Sequence, residues 1–451
     1  MAVVALVIVV LLAIHADLVE NVCCENGTKL LLVSMDGFRW DYVKTARTPN
    51  FRSLAARGVF AEHINSSFVT KTFPNHYTIA TGLYEESHGI ISNRMYDPVF
   101  DQKAGYGSIR SKWWEGEPIW VTARRQGLKS ATYFWPGSEW EINGFRPNYW
   151  VRYNKKHKFK RRVDKVMQWL TKDNVTMATL YFHEPDSTGH RYGPGSRQVR
   201  EKVEEMDNML GYIMEQFTSN NLWATTNLIV TSDHGMADMD LKNKIIDISK
   251  IISIKNDINF TLDSGAFMQI FPKTSAIDIV DNLNSPNLEM TAYLKENIPE
   301  IWHYKNHRRI APIIIVANEG WAVVKTKPTY SSKGTHGYDN NLQSMKPIFY
   351  AAGPSFKTGY GAGPFHVVDI YPLMCKILGI DPAPNNGSLS HVMPLLLPEK
   401  TTEQEVKQKE IKQNKVKQKE VKQVGSGGVG TYFSIIFGIL CHIFTRVFRV
   451  M

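Results

Sequence analysis

Three aspartates and three histidines stand just after apolar runs or inside glycine-flanked loops: Asp36, Asp186 and His190 in DSTGH, Asp233 and His234 in SDHG, and His336 in GTHGYD. Carboxylates mixed with imidazoles form a zinc-type donor set. Two groups of three suffice for two neighbouring zinc ions that keep open positions for a reactant. Taken singly, an Asp after a strand is often a helix cap and a His is often a satisfied polar group. Taken together, with Gly37, Gly189, Gly235, Gly334 and Gly337 beside them to let backbone approach closely, the six point to one metal centre. A nucleophile candidate stands at Thr72 in TKTFPNHYTIATG. Pro74 and Asn75 predict a helix starting near Phe73, which places Thr72 where the dipole and free N–H groups favour an anion and a metal ion would ease loss of the hydroxyl proton. On local grounds a plain N-cap threonine fits as well.

Such a set needs a scaffold that brings distant loops to one edge. From about Thr28 to Pro398 strand-like and helix-like runs alternate without a long linker, which predicts an α/β fold with a mostly parallel sheet flanked by helices. Lys29–Ser34, Ala178–Phe182, Asn227–Thr231 and Pro347–Ala352 are apolar on both faces, as buried central strands are. Each is followed at once by MDG, HEPD, SDHG or GPSF, and in open α/β sheets ligands gather at the strands' carboxyl ends. Pro49–Arg57, Arg197–Phe217 and Val367–Leu378 are the clearest helix predictions.

Composition excludes other classes. With 43% hydrophobic and 11% aromatic residues, the chain is too apolar for disorder, and 4 Cys in 451 residues cannot brace a disulfide scaffold. The net charge of +10 suits an anionic substrate, a membrane surface or nucleic acid, although no nucleic-acid module is recognisable. Ala2–Ile14 is an apolar run of signal-peptide length, giving an expected signal over residues 1–16. Sequons at Asn26, Asn65, Asn174, Asn259 and Asn386 fit a glycosylated ectodomain. Residues 402–424 are expected to form a charged stalk, within which Glu405–Val424 repeats in fives without an apolar stripe. The apolar run at 429–445, stopped by Arg446, predicts a single-pass anchor with the catalytic body outside the cell; a shed or lipid-anchored form is the alternative.

The segments LVSMDGFRWDY, TPNF, TKTFPNHYTIATGLYEESHGIISNRMYDP, EPDSTGH, SDHGM and THGYDN resemble the ectonucleotide pyrophosphatase/phosphodiesterase family of the alkaline phosphatase superfamily, over about Leu30 to Leu397. With WPGSE and the C-terminal run, the resemblance is strongest to the short membrane-bound members. It implies an alkaline-phosphatase-like catalytic domain over 28–398, with one Zn2+ held by Asp186, His190 and His336 and a second held by Asp36, Asp233 and His234 together with Thr72 as nucleophile. Asn93 matches the residue that donates to a phosphate oxygen. Phe73 and Tyr149 match the pair that sandwiches a base, with Trp150 an alternative to Tyr149, and Lys71 is either a phosphate partner or solvated. The implied activity is zinc-dependent extracellular hydrolysis of nucleotide phosphodiester and pyrophosphate bonds, releasing a nucleoside 5′-monophosphate. A choline-phospholipid phosphodiesterase is the alternative, and an inactive cell-surface binding protein a weaker one. Paired cysteines found within the body of vertebrate relatives are missing here, with Cys375 lacking an evident partner.

Overall fold

The computed structural model describes residues 28–326 and 331–398. The expected signal, Asn26, the stalk and the apolar run at 429–445 lie outside the described residues. Among the described residues no helix is long and apolar enough to cross a membrane.

The central sheet is built from β1 (Lys29–Met35), β2 (Val59–Ala61), β3 (Ser130–Tyr133), β4 (Tyr149–Val151), β5 (Met177–Phe182) and β6 (Thr226–Thr231). A second sheet follows in the chain with β7 (Ile258–Leu262), β8 (Phe267–Pro272), β9 (Met290–Leu294) and β10 (Ile313–Ala317), before β11 (Phe349–Ala352) and β12 (Tyr360–Ala362) return to the first. The order across the central sheet is β12-β2-β11-β6-β1-β5-β3-β4. All of its strands run one way except β11, which is antiparallel to β2 and β6.

Burial on both faces explains why the central strands are apolar throughout. Along β1, Leu30 and Leu32 enter one core cluster while Leu31, Val33 and Met35 enter the other, following the two-residue period of a strand. The first face is covered by α2 (Thr72–Thr81) and α6 (Ile370–Leu378). The opposite face is covered by α1 (Pro49–Arg57), α3 (Phe159–Thr171) and α5 (Arg197–Ser219). Pro49 occupies the first turn of α1, where its missing N–H costs nothing, and Ser196 caps α5 by accepting from Val199 N.

The stretch between β6 and β11 carries the antiparallel second sheet, in the order β7-β8-β10-β9, with its own apolar cluster. Its last excursion, Gly334–Thr335, pairs with Ala237–Asp238 and so delivers His336 to the carboxyl edge of the central sheet. Cys375 is buried in α6 as a free thiol, and burial pushes it up to about 12, the behaviour of an inert core residue.

Candidate active site

The six acidic and histidine residues meet at that carboxyl edge. Asp36 follows β1 directly and leads into Gly37, whose φ of +66° turns the chain; a Cβ there would come within 2.8 Å of Asp186 Cβ. Backbone bonds then tie the loops together. Asp186 N donates to Asp36 O at 3.0 Å, and Gly37 N donates to Asp233 Oδ1 at 3.1 Å. Asp186 opens α4 (Asp186–Tyr192), so His190, four residues on, lies on the same helical face with Nε2 3.3 Å from Asp186 Oδ1. Asp233 and His234 follow β6, and His234 Nε2 lies 3.0 Å from Asp233 Oδ2 and 3.5 Å from Asp36 Oδ1. His336 Nε2 is 3.5 Å from Asp186 Oδ1.

The donor set fits metal ions. Each imidazole turns Nδ1 to a backbone carbonyl: His190 to Gly334 at 2.9 Å, His234 to Gly235 at 2.8 Å and His336 to Thr70 at 2.7 Å. A carbonyl can only accept, so Nδ1 carries the proton, and the Nε2 atoms that face the carboxylates are the ligating ones. Meanwhile Asp36 Oδ1, Asp186 Oδ1 and Asp233 Oδ2 are buried without a hydrogen-bond partner. Unpaired buried carboxylate oxygens are costly unless a cation lies among them. The groupings close enough to share an ion are Asp186 with His190 and His336, Asp36 with Asp186 and His234, and Asp36 with His76 and Asp233.

Electrostatics give the same picture. Burial, then the charges of Asp233 and Asp186, push Asp36 far above the usual carboxylate range. Burial also opposes ionisation of Asp186 and Asp233, but the adjacent imidazoles outweigh it and hold both below the ordinary value. For His190 the Asp186 charge overcomes burial and raises it to about 9, while burial and the His234 charge push His336 well down. One carboxylate driven to hold a proton beside two that are ionised is the signature of an anionic cluster that a divalent cation would relieve.

Thr72 is the first residue of α2, and its Oγ1 lies 3.4 Å from His234 Nε2. His76, one turn further along, was not singled out in the sequence. Its Nδ1 reaches Thr72 O at 2.8 Å and Asp233 Oδ2 at 3.2 Å, so it fixes the hydroxyl-bearing residue against the carboxylate group. The i, i+4 spacing from Thr72 was the available signal. Tyr181 on β5 was also missed; its hydroxyl donates to Asp36 Oδ2.

A cavity of about 530 Å³ opens from Asp36, Thr72 and Asp186, with Phe73, Tyr106, Trp114, Tyr153 and Tyr181 among its walls. Asn93 sits behind Phe73, its Oδ1 accepting from Phe73 N at 2.9 Å, and its Nδ2 donates to the Tyr106 hydroxyl. Tyr106 meets the Phe73 ring edge-on at 5.3 Å. Two expectations need correction. Tyr149 does not line this cavity: it lies on edge strand β4 and stacks on Trp169 of α3 at 6.2 Å, whereas Tyr153, four residues on, lines it together with Phe73. Lys71 is neither solvated nor in the cavity, because its Nζ pairs with the buried Asp263 at 3.0 Å.

Residues 30–339 match the family described as Type I phosphodiesterase / nucleotide pyrophosphatase. The chain belongs to this family. The match spans every acidic and histidine residue of the site, from Asp36 to His336. A mouse (Mus musculus) relative, "Bis(5'-adenosyl)-triphosphatase enpp4", is 43% identical over 379 residues, covering 83% of this chain and 82% of the relative. Human (Homo sapiens) "Ectonucleotide pyrophosphatase/phosphodiesterase family member 5" is 39% identical over 374 residues, covering 82% of this chain and 78% of the relative. Among solved structures, murine ectonucleotide pyrophosphatase / phosphodiesterase 5, "inactive (T72A), in complex with AMP", superposes with a TM-score of 0.79 at 38% identity, covering 82% of this chain and 100% of that one. The mixed α/β fold with a mostly parallel sheet is common to this family member and its structural relatives, and the chain is a hydrolase of the phosphodiesterase and nucleotide pyrophosphatase type.

Proposed function

We propose that the chain hydrolyses phosphodiester and pyrophosphate bonds of nucleotides at the cell surface, with Thr72 as nucleophile and two zinc ions as cofactors. The observation that carries this reading is the position of Thr72, on the first turn of α2 between His234 and an aromatic cavity. Asp186, His190 and His336 would hold one ion, and Asp36, Asp233 and His234, with the Thr72 hydroxyl, the other. When bound, such ions supply Lewis acidity, lowering the hydroxyl pKa and neutralising charge that develops on the phosphate oxygens.

The chain's own residues do the rest. Phe73 and Tyr153 hold a base between their rings, which sets the phosphate nearest the nucleoside against Thr72. The N-terminus of α2 favours the anion, and the Asn93 amide donates to a non-bridging oxygen. Thr72 Oγ1 forms a bond to phosphorus as the bond to the leaving oxygen breaks, giving a nucleotidyl-threonine. Water then cleaves that ester and releases a nucleoside 5′-monophosphate. A relative solved with AMP in an inactive threonine-to-alanine form is consistent with this product.

One observation favours a second reading, a phosphodiesterase for choline phospholipids: Trp114, Trp135 and Trp140 line the same cavity with the carboxylate Glu139, and aromatic faces with a carboxylate suit a quaternary ammonium. Product analysis separates the two. ATP is expected to give AMP and pyrophosphate; ADP as first product, or lysophospholipid cleaved far faster than any nucleotide, overturns the nucleotide reading.

The signal at 1–16, the stalk at 402–424 and the anchor at 429–445 are proposed from sequence alone and place the 28–398 body outside the cell. Asn174, Asn259 and Asn386 are exposed and open to glycosylation, whereas Asn65 is half-buried and accepts from Lys346 Nζ at 2.8 Å. A shift of gel mobility on glycosidase treatment tests this topology.

A further inference from the structure

Asn93 and Tyr106 flank the open end of a short hairpin. Met95–Asp97 pairs antiparallel with Gln102–Ala104, Met95 opposite Ala104, and the same register carried two residues further sets Asn93 opposite Tyr106. Gly105 then opens a tight turn. Ser108 N donates to Gly105 O at 2.9 Å, and Gly107, with a φ of +78°, takes the corner that a side chain would strain. Tyr106 is thus presented by a turn rather than by the core, and the residue is 62% exposed. What holds it over the catalytic cavity is the edge-on contact with Phe73 and the bond from Asn93 Nδ2.

The Asn93 amide has a fixed direction, because its Oδ1 accepts from Phe73 N and so leaves Nδ2 as the donor end facing Tyr106. A phenol that accepts from Nδ2 still has its own proton to give. Among the described residues nothing accepts that proton. Burial, then the charges of Asp186 and Asp36, raise the Tyr106 pKa above the ordinary phenol value, so the group remains a donor at neutral pH. A free O–H therefore stands at the wall of the cavity that opens from Asp36, Thr72 and Asp186, close to the N-terminus of α2.

We propose that Tyr106 is a further catalytic residue, whose hydroxyl donates to a non-bridging oxygen of the phosphate at Thr72, beside the oxygen that takes the Asn93 amide. The proposal rests on the Thr72 phosphodiesterase reading above, but not on the organic group that the phosphate carries. Two donors linked to each other reach the phosphate from one side: Asn93 gives one N–H to Tyr106 and keeps the second for the substrate, while Tyr106 gives its O–H. Donors set in place before the reaction stabilise charge on the phosphate oxygens in the transition state without reorganisation.

The test compares zinc-loaded, full-length wild type with Tyr106→Phe, which keeps the ring and removes the hydroxyl. The substrates are the p-nitrophenyl ester of thymidine monophosphate, its two phosphorothioate diastereomers, and bis(p-nitrophenyl) phosphate, which has no nucleoside. The expected result is a loss of about 10–10²-fold in kcat on both oxygen esters, with KM changed by less than about threefold and zinc content and melting temperature unchanged. Sulfur accepts hydrogen bonds poorly, so the rate ratio of the two diastereomers should also shift by at least about fivefold in the variant, a readout that a packing role would not move. Unchanged kcat, a rise in KM alone, or a loss of kcat with the diastereomer ratio unchanged overturns the proposal. A rise in kcat/KM overturns it as well, by showing that the hydroxyl competes with phosphate for Asn93. If wild type cleaves bis(p-nitrophenyl) phosphate but no nucleotide, the nucleotide reading fails separately, and kcat of the variant on that ester still decides Tyr106. If neither is cleaved, calorimetric binding of orthovanadate to the two zinc-loaded proteins decides: binding at least about tenfold weaker in the variant upholds the proposal, and equal binding overturns it.

Discussion

His336 stacks on His234 with ring centroids 3.5 Å apart and planes 15° from parallel. One imidazole belongs to the Asp186 group and the other to the Asp36 and Asp233 group, so this contact sets the spacing between the two halves of the site. Two imidazolium rings would repel at that distance, and burial together with the His234 charge keeps His336 neutral, the form in which an imidazole binds a metal. His336 arrives from the far end of the second-sheet excursion, which makes the site dependent on that excursion being folded.

The first prediction follows from the orphaned carboxylate oxygens. A chelator is expected to abolish hydrolysis and lower the melting temperature together, since ions present at about 100 times their Kd stabilise a fold by about 2.7 kcal/mol. Zinc should restore both. His336→Ala is expected to lower zinc content by elemental analysis. Full activity in a protein shown to be metal-free would remove the zinc assignment.

Thr72→Ala is expected to lose at least about 10³-fold in kcat with its metal retained, the scale for removing a covalent nucleophile. Thr72→Ser should keep part of the activity, and mass spectrometry of rapidly quenched wild type should show a nucleotidyl adduct on the peptide containing Thr72. Undiminished turnover of Thr72→Ala would sink the covalent route.

Substrate stacking separates two nearby tyrosines. Tyr153→Ala should raise KM for nucleotides by an amount equivalent to about 1–3 kcal/mol, while Tyr149→Ala, which loosens only the packing on Trp169, should leave KM unchanged and lower the melting temperature. The reverse pattern would show that the cavity wall has been assigned to the wrong residue.

Acid stability has a separate origin in a buried ionic cluster. Arg309 Nε contacts Asp97 Oδ2 at 2.6 Å and its Nη2 contacts Glu115 Oε1 at 2.8 Å, with Arg308 beside both. Burial would push both carboxyls up, but hydrogen bonds from Arg309 and Arg308 to Asp97, and from His307 and Arg308 to Glu115, hold each down to about 2. Lowered folded-state values mean the stabilisation is fully present above about pH 4.5, the upper of the two ordinary values, and is lost as pH falls toward 2. Thermal unfolding between pH 5 and pH 2 should show this fall. Arg309→Met should cost about 3–5 kcal/mol near neutrality, by leaving two carboxylates without their buried partner, and should flatten the acid limb.

Features set by neighbours along the chain were readable from the residues. The buried strands, Pro49 opening α1, Thr72 opening α2 and the i, i+4 pair Asp186 and His190 were legible because period, cap and helical spacing are local properties. The mostly parallel sheet followed from their alternation, and the positions after its strands identified the residues that meet. Tertiary structure alone decided what depends on approach between distant segments. Lys71 finds its charge partner in Asp263, at the end of β7 of the second sheet, which no spacing near Lys71 could reveal. Tyr149 and Tyr153 are equally aromatic and four residues apart. The chain leaves β4 after Val151, so one is committed to the sheet and Trp169 while the other swings over the carboxyl edge. The choice rests on where an edge strand ends, and pairing with β3 sets that end.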